Sequence, residues 1–293
     1  MSRAIRRACI DIGSNTTRLL VADCHEEGLR EIDQQREFTR VGKGLALGGL
    51  IAPEKLREVA GVVAAQLERA RALGASEVRI VATAAIRRAA NGGQLAEEIH
   101  RACGLPVEIL SGEDEARLAF CGAARALGHR PTGDLGVVDV GGGSSEIIVG
   151  LAPDQVRWSA SLRLGSGDLT DAWFHSDPPT AEELDRARLE VKRELDQLAV
   201  PRPEEAVAVG GSATSLGRLA GPLLDQPGFK GALELLLSEP AAVVAGRFAL
   251  NAERVRLLPG GLLILREVSS LFEAPLRIAR GGVREGVLLE ARG

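Results

Sequence analysis

Two short stretches carry the side chains that chemistry on a phosphate would need. Asp11-Ile12-Gly13-Ser14-Asn15-Thr16-Thr17 and Asp139-Val140-Gly141-Gly142-Gly143-Ser144-Ser145-Glu146 each place a carboxylate just before a cluster of glycine and hydroxyl residues. Backbone N–H groups and hydroxyls crowded into one tight turn can converge on an anion, because glycine leaves no Cβ in the way. Two copies read as two phosphate clamps, each with an acid at its mouth. A third glycine turn, Val209-Gly210-Gly211-Ser212-Ala213-Thr214, ends a strand and opens a helix whose N–H groups form an anion site. Splitting a phosphoanhydride needs a carboxylate to take a proton from water, a cation to offset developing charge, and donors to hold the phosphates. Asp11, Asp139 and Glu146 are candidates to surround the metal, and Glu115, last of the run Glu113-Asp114-Glu115, is the candidate base. That run also suits the first turn of a helix N-capped by Ser111, a plain structural role for the same acids.

Elements must position these groups. Apolar runs flank both turns, Ala8-Cys9-Ile10 and Arg18 to Ala22 around the first, Gly136-Val137-Val138 and Ile147 to Gly150 around the second. Each set predicts a β-hairpin. A third strand is expected at 28–39, then a glycine-rich loop from Arg40 to Leu45. Residues 53–73 carry apolar positions at helical spacing with Pro53 in the first turn, where its missing N–H costs nothing. A strand at 78–83, a turn at 84–88, a helix at 91–102, a strand at 107–110 and a helix beginning at Ser111 follow. Gly128-His129-Arg130-Pro131-Thr132-Gly133-Asp134 is rich in breakers and reads as a linker. The predicted division is a domain of residues 1–124 and a domain of residues 125–293. The second half restarts the plan with its hairpin, a strand at 156–164, a helix at 181–198, a strand at 206–209 and further helices. The expected class is α/β, two domains with a repeated βββαβαβ core, which resembles the actin-like, ribonuclease H-like superfold of sugar kinases and heat-shock ATPases.

Composition narrows the partners. The chain has 293 residues, 45% hydrophobic and 26% charged, enough for two domains with separate cores. Six Phe, two Trp and no Tyr leave the cores to aliphatic residues and offer few stacking platforms for bases. With a net charge of -4, a nucleic-acid coat protein is not expected. Lysine occurs only at 43, 55, 192 and 230, so nearly all positive charge is guanidinium, suited to bidentate phosphate contact. Cys9, Cys24, Cys103 and Cys121 form no CxxC pair and read as reduced core residues of a cytoplasmic protein. The four histidines lack metal-ligand spacing, and no signal peptide or membrane span is expected.

Taken in order, these motifs resemble the exopolyphosphatase and guanosine pentaphosphate phosphohydrolase family, Ppx/GppA. The resemblance runs from Asp11-Ile12-Gly13-Ser14-Asn15 through Ala82-Thr83-Ala84-Ala85-Ile86-Arg87, Leu110-Ser111-Gly112-Glu113-Asp114-Glu115-Ala116-Arg117-Leu118 and the Asp139 to Glu146 turn. It continues through Gly210-Gly211-Ser212, Leu257-Leu258-Pro259-Gly260-Gly261 and Arg280-Gly281-Gly282-Val283-Arg284-Glu285-Gly286. It implies an active site in an interdomain cleft and hydrolysis of a terminal phosphate with Mg2+ or Mn2+. The family's catalytic glutamate falls on Glu115. Its metal and water carboxylates fall on Asp139 and Glu146, with Asp11 opposite, and its phosphate-gripping arginines on Arg18, Arg87 and Arg284. The expected substrate is inorganic polyphosphate, of short chains since longer relatives append a helical domain, or alternatively guanosine pentaphosphate, a stringent-response nucleotide. A homodimer is the family habit. A sugar or acetate kinase and an actin-like nucleotide-binding regulator are the more distant readings.

Overall fold

In a computed structural model the apolar run before the first glycine turn forms β1 (Ile5–Ile12) and the run after it β2 (Thr17–His25). Residues 4–25, 28–43, 45 and 49–290 are described; Gly44 of the expected glycine-rich loop, and the two chain ends, lie outside them. β3 (Gly28–Glu37), α1 (Pro53–Ala72), β4 (Glu77–Ala82), α2 (Ala84–Arg88), α3 (Gly92–Cys103), β5 (Val107–Ile109) and α4 (Gly112–Ala126) follow. Then come β6 (Leu135–Val140), β7 (Ser145–Leu151), β8 (Gln155–Leu162), α5 (Ser166–Trp173), α6 (Ala181–Leu195), β9 (Glu205–Val209) and α7 (Gly210–Ala220). The chain closes with β10 (Leu223–Leu224), α8 (Gln226–Ser238), α9 (Ala241–Phe248), α10 (Ala252–Phe272), β11 (Leu276–Ile278) and α11 (Val283–Leu289).

Local sequence accounts for most of these. In α1, Pro53 opens the helix and Leu56, Val59, Ala60, Val63, Leu67 and Ala70 form one buried stripe at 3–4-residue spacing. In α6, Thr180 and Glu183 close a capping box, and Leu184, Ala187, Val191 and Leu195 face inward. The segment 84–88, expected as a turn, is instead the five-residue helix α2. It is too short for a periodic signal, and it owes its existence to burial of Ala84, Ala85 and Ile86.

The chain forms two compact units, Met1–Gly122 together with Val283–Gly293, and Ala123–Gly282. The sequence predicts one second domain over residues 125–293; the last helix instead belongs with the first unit. There α11 packs on β1 and β2. Arg79 Nη1 and Arg117 Nη2 hold Glu290 at 2.7 and 2.6 Å, and Arg7 Nη1 donates to Leu288 O. Those contacts join residues at opposite ends of the sequence, which no local pattern can announce.

The sheet of the first unit runs β3-β2-β1-β4-β5, antiparallel among β1 to β3 and parallel from β1 through β4 to β5. The sheet of the second runs β10-β11-β9-β6-β7-β8, and β8-β7-β6-β9-β11 repeats that order and those directions. Each unit has its own aliphatic core, with Ile10, Leu19, Val63 and Leu67 in the first and Val138, Ile147, Leu262 and Val268 in the second. Three of the few phenylalanines, Phe120, Phe229 and Phe272, are fully buried. Among the described residues no helix is long and apolar enough to cross a membrane.

Candidate active site

The two glycine turns share one construction. Gly13 N donates to Thr16 O at 3.0 Å, and Gly141 N to Ser144 O at 2.9 Å, closing the β1–β2 and β6–β7 hairpins. In each case a later segment ties down the turn's carbonyls. Arg40 N and Gly42 N donate to Asn15 O and Ser14 O, while Ser166 N reaches Gly141 O, and Gly167 N and Asp168 N both reach Gly142 O. With those acceptors committed, each turn is held rigid before any ligand arrives. The bracing segment must come close: a methyl on Gly165 would lie 2.3 Å from Gly143 N and 2.4 Å from the Gly142 carbonyl carbon. Ser14, Thr16 and Ser144 are buried around the turns. Ser145 is fully buried, and its hydroxyl proton is committed to Leu164 O, so it braces its turn from behind.

The register of the hairpins sets the charges. Asp11 on β1 lies opposite Arg18 on β2, and Arg18 opposite Arg36 on β3. The corresponding row of the second unit is Asp139 on β6, Glu146 on β7 and Ser161 on β8. The same three positions thus carry acid, base, base in one unit and acid, acid, hydroxyl in the other. Arg18 Nη2 binds Asp11 Oδ2 at 2.6 Å, and Ser161 Oγ donates to Glu146 Oε1 at 3.0 Å. Asp11, only 2% exposed, keeps its Oδ1 without a hydrogen-bond donor. A buried carboxylate oxygen in that condition is costly unless something cationic meets it.

In the first unit α4 begins as expected, with Ser111 Oγ accepting from Asp114 N at 3.0 Å. Glu115, one residue further, is 4% exposed, whereas Glu113 and Asp114 stay near the surface. Arg87 Nη1, delivered by α2, donates to Glu115 Oε2 at 2.9 Å and to Leu110 O at 2.6 Å. The short helix missed in the sequence is therefore what aims Arg87 at the acid. Arg284 of α11 lies against β2, its Nη1 donating to Leu19 O at 3.3 Å. Burial, followed by the charge of Arg18, lowers its pKa from the ordinary guanidinium value.

In the second unit β9 runs beside β6, with Val209 opposite Asp139, and delivers Gly210 to that carboxylate. Gly210 has φ +83°, and a methyl there would lie 2.1 Å from Asp139 Oδ1. Only glycine satisfies both the backbone angle and the approach. Gly210 also begins α7, so Gly211 and Ser212 occupy a helix N-terminus. Ser212 is fully buried and its Oγ has no hydrogen-bond partner among the described residues. Arg254 of α10, for which the sequence gives no signal, is 7% exposed, and a methyl added to Gly211 would lie 3.0 Å from its Nη2. A buried arginine beside a glycine turn has no local sequence signal. Arg36 and Ser161, by contrast, could be found by aligning the two repeats strand by strand.

Asp11, Arg18, Arg87, Glu115 and Arg284 thus belong to the first unit with the turn at Gly13 to Thr16. Asp139, Glu146, the turn at Gly141 to Ser145 and Gly210 to Ser212 belong to the second. Among the described residues no three His, Cys, Asp or Glu side chains gather closely enough to form a metal site by themselves.

Residues 20–292 match the Ppx/GppA phosphatase family. The chain is 34% identical to Exopolyphosphatase 2 of Mycobacterium tuberculosis, over 73% of this chain and 70% of that protein. It is 28% identical to the guanosine-5'-triphosphate,3'-diphosphate pyrophosphatase of Vibrio cholerae, over 99% of this chain and 60% of that protein. Among solved structures, the crystal structure of the Aquifex aeolicus Ppx/GppA family member superposes with a TM-score of 0.82 at 30% identity, covering 98% of this chain and 97% of that one.

Proposed function

The chain belongs to the Ppx/GppA phosphatase family and is a phosphoanhydride hydrolase; from that premise we propose that it removes the terminal phosphate of inorganic polyphosphate. The observation that carries this reading is Glu115, a buried carboxylate held at 2.9 Å by Arg87. The guanidinium fixes the direction of the carboxylate, as a base for water requires. In the proposed step a water oxygen attacks the terminal phosphorus in line with the bridging oxygen. Its proton passes to Glu115, the P–O bond to the bridging oxygen breaks, and orthophosphate and a chain shortened by one phosphate leave. In the first unit the backbone N–H groups of the Gly13 to Thr16 turn, with Arg18, Arg87 and Arg284, are the proposed phosphate donors; in the second unit they are the turn at Gly141 to Ser145 and the N-terminus of α7 at Gly210 to Ser212.

A hard divalent cation, Mg2+ or Mn2+, is the proposed cofactor, and each unit by itself offers carboxylates to it: Asp11 in the first, Asp139 and Glu146 in the second. All are carboxylates, Asp11 Oδ1 lacks a donor, and Mg2+ commonly takes one or two protein carboxylates with water and substrate oxygens completing its shell. When bound, such an ion offsets charge on the phosphoryl oxygens.

The second reading, hydrolysis of guanosine pentaphosphate, uses the same groups and is favoured by likeness to the Vibrio cholerae pyrophosphatase along 99% of the chain. The compartment proposed is the cytoplasm, in keeping with four free, buried cysteines, and the assembly proposed from the family resemblance is a homodimer. Orthophosphate release from tripolyphosphate, long polyphosphate, guanosine pentaphosphate and ATP, with Mg2+, Mn2+ or chelator, tests the reading. Faster release from the polyphosphates than from guanosine pentaphosphate or ATP is expected; faster release from guanosine pentaphosphate transfers the assignment to the second reading, and sugar phosphorylation from ATP overturns both.

A further inference from the structure

The cross-strand rows contain a residue that the reaction above leaves without a role. Arg36 on β3 stands directly opposite Arg18 on β2, so both side chains leave the same face of the sheet. Like charges in that position destabilise a sheet. Arg18 has Asp11 at 2.6 Å and Arg284 has the Leu19 carbonyl with Glu285 at 3.8 Å. Among the described residues Arg36 pairs with no carboxylate. Desolvation of its guanidinium, then the positive charges of Arg18 and Arg284, lower its pKa, while the residue as a whole keeps solvent access. Three arginines thus crowd one end of the sheet, and of these Arg36 pairs with no carboxylate among the described residues.

The repeat points the same way. The position equivalent to Arg36 in the second unit is Ser161, which donates directly to Glu146. In both units the third strand therefore supplies the residue that completes the charged row next to the glycine turn. In the second unit the row is anionic and suits a cation. In the first it is cationic beyond Asp11 and suits an anion.

We propose that Arg36 is a specificity residue which, with Arg18 and Arg284, holds a non-reacting phosphate of the substrate, so that affinity rises with the number of phosphates in the chain. The ligand identity rests on the polyphosphate reading above, but the subsite can be tested by binding alone. A phosphate would neutralise the Arg18–Arg36 repulsion and accept charge-assisted hydrogen bonds that the free protein lacks.

Calorimetric titration with tripolyphosphate and pyrophosphate, on the full chain and on Arg36→Gln and Arg36→Lys, decides the matter. Losing one charged hydrogen-bonding contact should weaken tripolyphosphate binding to Arg36→Gln about tenfold, with pyrophosphate affected far less and Arg36→Lys intermediate. In turnover the loss should appear in KM while kcat holds, and the KM of the variant should respond less to salt. The unliganded variant should unfold at the same temperature or higher, because a repulsion has gone. Tripolyphosphate affinity unchanged within about twofold, absence of tripolyphosphate binding by the parent chain, or a lowered unfolding temperature without loss of affinity would each overturn the subsite. Arg30→Gln, whose guanidinium already pairs with Asp23 at 2.7 Å, should leave affinity unchanged. If the parent binds tripolyphosphate through Arg36 yet releases no orthophosphate from any polyphosphate, the subsite stands and the hydrolase substrate assignment fails.

Discussion

Replacing Glu115 by Gln separates chemistry from architecture at one atom. The side chain is 5% exposed and accepts from Arg87 Nη1 at 2.9 Å; a glutamine amide oxygen can occupy the same place and accept the same bond. Arg87 stays anchored, since the same nitrogen also donates to Leu110 O at 2.6 Å. The fold should therefore survive with a stability change of about 1 kcal/mol, the usual size of a neutralised hydrogen-bonded partner. Glu115→Ala is harsher because it strips a largely buried guanidinium of its acceptor, for about 2–3 kcal/mol, below the range for a fully buried pair because Arg87 keeps 26% of its side chain exposed. Catalysis should respond in the opposite proportion. A positioned general base contributes roughly 10²–10⁴-fold, or about 3–5 kcal/mol of barrier, and the amide cannot take a proton from water. Orthophosphate release from tripolyphosphate should thus fall by that factor in kcat for Glu115→Gln, while calorimetric tripolyphosphate affinity stays close to the parent's. A kcat within about tenfold of the parent would refute the assignment of Glu115 as base.

Three further outcomes follow from the same geometry. Gly210→Ala forces an alanine to φ +83° and drives its methyl to 2.1 Å from Asp139 Oδ1; it should cost about 1–3 kcal/mol in denaturant unfolding and weaken metal affinity, read as a higher Mg2+ concentration for half-maximal release. Gly165→Ala pushes on the Gly142-Gly143 backbone from behind, so it should reduce kcat more than it reduces the unfolding midpoint, and wild-type kinetics would show that the turn is not set by this contact. N–H groups of Thr180 and His175 hold the Glu183 carboxyl at about 2, below its ordinary value. Its stabilisation is present above the ordinary carboxylate range and disappears as pH falls through about 2. Glu183→Gln should therefore lower the unfolding midpoint at pH 7, with the difference shrinking toward pH 2; a pH-independent difference would remove this acid from the account.

Much of the molecule could be read from local chemistry. The hairpins, the amphipathic α1 and α6 and the Ser111 cap rest on interactions within a few residues, and the repeated order of strands and helices along the chain can be read from those signals. Glu115 is the candidate base in the sequence and the residue on which the family's glutamate falls, but burial of this one acid with exposure of Glu113 and Asp114 is a tertiary fact. α2 was missed because five residues carry no period, and with it the reason Arg87 reaches Glu115.

Other features belong to the assembled fold. α11 joins the first unit through Arg7, Arg79 and Arg117, partners separated from it by most of the chain. Ser145 looks identical to Ser144 in sequence, yet one strand position sends its hydroxyl to Leu164 O. Residue types and spacing determined that this chain has two phosphate turns with acids beside them. Strand register decided which row became cationic, with Arg18 and Arg36, and which became anionic, with Asp139 and Glu146. Register is fixed by core burial and pairing over distances that no short stretch of sequence records.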